Sequence, residues 1–159
     1  MRRLGDQSGL TLVELLVATA ITGLLAGALG TTVHQLFMTS ERGNDELRAL
    51  HDVQNAGSWL NLDGERAETT NLIDGAPPAA SMTLSWTSGS QAHTVTYSLS
   101  GTELQRNHNG TTITVARHIS GIQFSISDRV ITVMMTSTPE GRWGVSKEAE
   151  YRIWLRPAE

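Results

Sequence analysis

Leu10 to Val33 reads LTLVELLVATAITGLLAGALGTTV. Apart from Glu14 and several threonines, every residue in it is apolar or small, and no residue from Leu15 to Ser40 carries a formal charge. Wound as an α-helix, these 24 residues extend about 36 Å, enough to cross the roughly 30 Å hydrocarbon layer of a bilayer with some tilt. Ahead of them stands MRRLGDQSG, in which Arg2 and Arg3 outweigh Asp6. Positive charge therefore flanks the N-terminal side alone, and the charge bias of short loops assigns that end to the cytoplasm. The remainder of the chain is expected outside.

Three ordinary readings of the stretch compete. A cleaved secretory signal has an apolar core of about 7–15 residues followed by a small-x-small site, and this run is longer and continues into a polar helical pattern. A plain single-pass signal anchor accounts for length and orientation but leaves Glu14 without a purpose, because a carboxylate within a membrane helix costs roughly 2.5–3.5 kcal/mol. A buried helix that is apolar all round needs a larger core than 159 residues provide.

The run Gly9-Leu10-Thr11-Leu12-Val13-Glu14, behind a short basic leader and ahead of an apolar span, resembles the signal of type IV prepilins and type II secretion pseudopilins. The resemblance covers about 25 residues. It implies that a membrane-embedded prepilin peptidase cuts after Gly9 and methylates the new N-terminal residue, Leu10, where the family usually has Phe. Thr11, Leu12 and Glu14 then belong to the processing and assembly motif, with Glu14 as the fifth mature residue. A carboxylate there could be paired with the terminal amine of a neighbouring subunit inside a bundle, which would set the axial stagger. Gly23 and Gly27 stand in a small-xxx-small spacing that lets membrane helices approach closely. No proline occurs before Pro77, whereas major pilins usually carry one about twenty residues into this helix, so a minor pilin or pseudopilin is favoured.

Beyond the span the pattern stays helical and becomes amphipathic. Leu47, Leu50, Val53, Gly57 and Leu60 fall three or four apart, with charged residues on the other faces. Asp63-Gly64 is expected to end one element of about fifty residues. Residues 1–9 thus read as the leader, 10–33 as the membrane half of the helix and 34–66 as its amphipathic half. Residues 67–81, with Asp74-Gly75 and Pro77-Pro78, read as a connecting loop.

From Met82 onward the period is two. Met82, Leu84 and Trp86 alternate with polar residues, as do Val95, Tyr97 and Leu99, and Tyr151, Ile153 and Leu155. Asn109-Gly110 is a two-residue hairpin signal between Glu103–His108 and Thr111–Ala116. Further strands are expected at Ile122–Ser127, Val130–Ser137 and Glu148–Arg156. The expected class is α+β and pilin-like: one long N-terminal helix, membrane-spanning in its first half, packed on an antiparallel β-sheet head spanning 82–159. The order of strands in this head also resembles J-type minor pseudopilins and PilW-like minor pilins over about seventy residues.

Composition narrows the function. A net charge of −4 gives no general attraction to nucleic acid, and the absence of Cys excludes disulfides, thiolate metal sites and a Cys nucleophile. His34, His51, His93, His108 and His118 show no zinc-ligand spacing and read as surface or turn residues, so no metal or cofactor is expected. No nucleophile elbow or phosphate loop is present, and no catalytic residues are assigned. Asp63-Gly64-Glu65 and Asp74-Gly75 read as a cap and a turn rather than calcium loops. Arg106 and the other head arginines read as a solvated sheet face. The expected protein is not an enzyme but a structural subunit of a type IV pilus, type II secretion pseudopilus or DNA-uptake filament. Its expected partners are the peptidase, other pilin-like subunits and inner-membrane lipid. The alternative is a single-pass anchored extracytoplasmic binding module that does not assemble.

Overall fold

The computed structural model describes residues 11–157. The chain divides into two compact units, Met1–Glu41 and Arg42–Glu159, and one helix, α1 (Leu12–Gly64, 53 residues), contributes to both. In the first unit every described residue is solvent-exposed or nearly so. The threonines that interrupt this apolar helix donate their hydroxyls back to its own carbonyls: Thr19 to Leu15 and Leu16, Thr22 to Ala18, Thr31 and Thr32 to Ala28. Their polarity is absorbed within the helix, the arrangement required where no water is at hand. The helix is long and apolar enough to cross a bilayer.

The second unit holds the last turns of α1 and eight strands: β1 (Thr69–Thr70), β2 (Ser81–Ser88), β3 (Gln91–Ser100), β4 (Glu103–His108), β5 (Thr111–Ala116), β6 (Ile119–Ser127), β7 (Val130–Ser137) and β8 (Lys147–Trp154). All neighbouring pairs are antiparallel. The expected α+β, pilin-like layout is therefore found, but the head is built from two sheets rather than one. β1 to β5 form a five-stranded sheet in sequence order, and β6 to β8 a three-stranded one. The break falls at Arg117-His118, where the Arg117 N–H and the His118 imidazole turn to Asp52 on the helix while the His118 carbonyl accepts from the Thr138 N–H. Asn109 and Gly110 both have positive φ, 49° and 91°, the conformation of a type I′ hairpin that Asn-Gly favours.

Core side chains come from the inner faces of both sheets and from α1. Met82, Leu84, Val95, Tyr97, Leu104, Phe124, Ile131 and Val133 are all fully buried together with Leu60 and Ala56. The helix face that joins them keeps Val53, Gly57 and Leu60 of the expected stripe but not its first two leucines. Leu47 and Leu50 lie 63% and 39% exposed, whereas Asp45, Ala49, Asp52, Val53, Ala56, Gly57, Leu60, Asp63 and Gly64 are buried. Small residues win this face because the strands come close. A Cβ placed on Gly57 would overlap the Tyr151 ring, and one on Gly64 would overlap Ile153.

Gly57→Ala should consequently destabilise the head despite removing a helix glycine. Overpacking costs about 1–3 kcal/mol against a propensity gain of about 1 kcal/mol. A lowered denaturant midpoint checks this, and a raised midpoint would show that Tyr151 moves aside freely.

Candidate functional site: the motif-bearing helix and its attachment

At the head of α1 Thr11 and Glu14 form a capping box, with Leu12 as the first helical residue. The Thr11 Oγ1 accepts a hydrogen bond from the Glu14 backbone N–H at 3.3 Å, and the Glu14 carboxylate accepts from both the Thr11 N–H and its hydroxyl at 2.9 Å. Two backbone donors that have no partner within the helix are thereby satisfied reciprocally. The helix begins at Leu12, directly after Thr11. This corrects the premise that Glu14 has no purpose in a lone anchor: local hydrogen bonding gives it one. The Thr-x-x-Glu spacing ahead of an apolar run is the sequence signature of that cap, a role distinct from that of a charge in lipid. Gly9 and Leu10, the expected cleavage and methylation residues, lie outside the described residues. Gly23 and Gly27 face open space, with nothing within 4 Å of a Cβ built on either.

Within the second unit, α1 is fastened to both sheets by polar side chains that the apolar periodicity does not reveal. Asp63 is fully buried. Its carboxylate accepts two bonds from Arg106 on β4, Nε at 2.6 Å and Nη2 at 2.7 Å, and a third from the Tyr97 hydroxyl on β3 at 2.5 Å. Arg106 also lies over the Trp59 ring at 4.8 Å. An acid in the last turn of a helix opposes the macrodipole, and the Arg106 guanidinium compensates both the carboxylate and the helix end. Arg106 is therefore a buried partner, not part of a solvated sheet face, and Asp63 is committed to an ion pair rather than to a cap or calcium loop.

Electrostatics follow from this packing. The hydrogen bond to Asp63 raises the Arg106 pKa, while burial, reinforced by Asp63, pushes the Tyr97 phenol well above its ordinary value. Because the folded phenol ionises above the unfolded one, its contribution is complete below about pH 10 and is lost as pH rises further. Stability should thus fall on alkaline titration above about pH 10, and Tyr97→Phe should flatten that fall. An unchanged pH profile in the variant would refute the assignment.

Three more tethers run from the same helix face. Asp52 accepts from the Arg117 N–H at 3.2 Å and the Ser137 hydroxyl at 3.3 Å, and faces His118 Nδ1 at 2.7 Å. Asn55 Nδ2 donates to the Val115 carbonyl at 2.7 Å, and the Tyr151 hydroxyl donates to the Val53 carbonyl at 2.8 Å. At the surface Lys147 Nζ donates to Glu46 Oε1 at 2.6 Å and holds that carboxyl below its usual range. Being solvated, that pair adds little. The displaced leucines, Leu47 and Leu50, line an open groove with Asn44, His51, Gln54 and His118. His34 and His51 are exposed as expected. His118 is held by Asp52, and His93 and His108 meet side by side. Among the described residues no group of three or more His, Cys, Asp or Glu converges as a metal-ligand set.

A family model described as the prokaryotic N-terminal methylation motif matches residues 4–30. No curated protein and no solved structure matches the chain. The motif, carried on a long apolar helix that precedes antiparallel sheets, supports a type IV pilin-like protein, either pilin or pseudopilin. It points to a structural family rather than to an enzyme. It also implies processing by prepilin peptidase and assembly with other pilins, and it is consistent with a single-pass inner-membrane anchor.

Proposed function

We propose that this chain is a minor pilin or pseudopilin of a type IV pilus, a type II secretion pseudopilus or a DNA-uptake filament. It enters the inner membrane with residues 1–9 in the cytoplasm and the head outside, as the flanking Arg2 and Arg3 favour. The peptidase removes the leader after Gly9 and methylates Leu10. The mature chain then joins other pilin-like subunits through the membrane half of α1. The observation that carries this reading is the match of the methylation motif to residues 4–30, whose Thr11 caps the helix that would follow the cut.

The chemistry of each residue is consistent with that order of events. Cleavage between Gly9 and Leu10 leaves the Thr11 N–H intact, so the capping box survives and the mature helix starts two residues from its new amine, at Leu12. The Glu14 carboxylate has spare acceptor capacity beyond its two bonds from Thr11, enough to receive the amine of an adjacent subunit. Gly23 and Gly27, open on their side of α1, offer a close-approach strip for a second helix. An anchored binding module that never assembles is the competing reading, and the capping box gives Glu14 a use there too. The methylation motif favours assembly, since a plain anchor needs no such signal.

Replacing Gly9 with a bulky residue tests processing. The apolar span is untouched, so the variant should still insert in the membrane while retaining its leader, seen as the larger species on a gel. Equal processing of variant and parent would reject Gly9 as the cleavage residue.

A further inference from the structure

At the far end of the first sheet, beyond the Asp63 pair, three rings gather on the inner face. Trp86 on β2 stacks on His93 of β3 and His108 of β4, with centroids 5.3 and 5.9 Å away and planes within 16°. The two imidazoles lie beside each other on this indole, with His93 Nδ1 and His108 Nε2 separated by 3.2 Å. Two bare ring nitrogens at that distance repel, so in the ion-free state one neutral ring donates its N–H to the bare nitrogen of the other.

We propose that His93 and His108 form a two-imidazole site for a borderline divalent transition ion such as Zn2+, Ni2+ or Cu2+, completed by water. Tetrahedral coordination with metal–nitrogen bonds of about 2.0–2.1 Å sets the two nitrogens roughly 3.3–3.4 Å apart, within tenths of an ångström of the spacing already present. Stacking on Trp86 fixes both ring planes, so little rotamer freedom is lost when the ion arrives. Both histidines are half-buried and open on a cavity of about 410 Å3, which leaves room for water ligands. Glu65 on its wall favours a cation, while Arg66 and Arg156 on the same wall oppose one. Imidazole is the preferred ligand type of these ions and binds them through a bare nitrogen, so the ring that donates the shared proton must switch tautomer and carry that proton on its far nitrogen when the ion is bound.

The test uses the full chain, free of any histidine tag, extracted in detergent and stripped with a chelator. Titration with Zn2+ by calorimetry should give one ion per chain, and Cu2+ should give an electron paramagnetic resonance spectrum with coupling to two nitrogens. His93→Phe and His108→Phe keep a ring on Trp86 and remove one ligand each. Each should weaken binding by at least the roughly 10–100-fold that loss of an outer-shell partner costs, while His51→Gln should leave it unchanged. Binding that survives either Phe substitution, or that disappears with His51, overturns the proposal. If a Phe variant fails to fold, the nitrogen count in the unaltered chain decides, and fewer than two nitrogens overturns it.

Discussion

Asp63→Leu should lower the stability of the head by about 3–5 kcal/mol, the cost of breaking a buried ion pair from one side. The substitution leaves the Arg106 guanidinium without its bidentate partner and the Tyr97 hydroxyl without its acceptor. Arg106→Leu should be similarly damaging, because it leaves a fully buried carboxylate held by a phenol alone. Removing both charges together should cost much less than the sum, since an apolar pair of similar volume avoids the desolvation of two ions. Denaturant titration of all three variants measures the coupling. Additive losses would mean that the two residues act independently and that the pair is not what fastens the helix end to the first sheet.

Glu14→Gln should leave membrane insertion intact and sharply reduce crosslinking to other pilin-like subunits. The amide keeps the acceptor oxygen that a capping box requires, and Gln is a regular occupant of that position. Only the charge that would meet a partner's amine is lost. Glu14→Leu removes cap and charge together and so cannot separate the two roles. Thr11→Ala is the complement, because it breaks the side-chain half of the cap but retains the carboxylate. If Gln assembles like the parent while Thr11→Ala does not, Glu14 acts as a helix cap and the amine pairing is wrong.

Legibility in the sequence varied with the physical origin of each feature. The end of α1 at Gly64 and the limits of β4 and β5 follow from local signals, namely Asp-Gly and Asn-Gly, and those of β7 from a short run rich in Val, Ile, Met and Thr. The docked face of the helix does not. Periodicity found Val53, Gly57 and Leu60 but also selected Leu47 and Leu50, whereas close helix–sheet approach adds Gly64 and tolerates Asp52 and Asp63 because partners from distant strands neutralise them. Arg106 looked like one of several scattered cations, since its partner lies 43 positions away. The His93 and His108 pair depends on the register of β3 with β4, in which Val95 faces His108, and spacing along the chain carries no trace of it. The capping box was present as Thr-x-x-Glu and needed only to be read as a cap.

The intact mass of the protein extracted from membranes tests the central claim most directly. Processing as a prepilin predicts a single species with the mass of a chain that begins at Leu10 and carries one added methyl group. A species retaining residues 1–9, or one cut anywhere other than after Gly9, would contradict it.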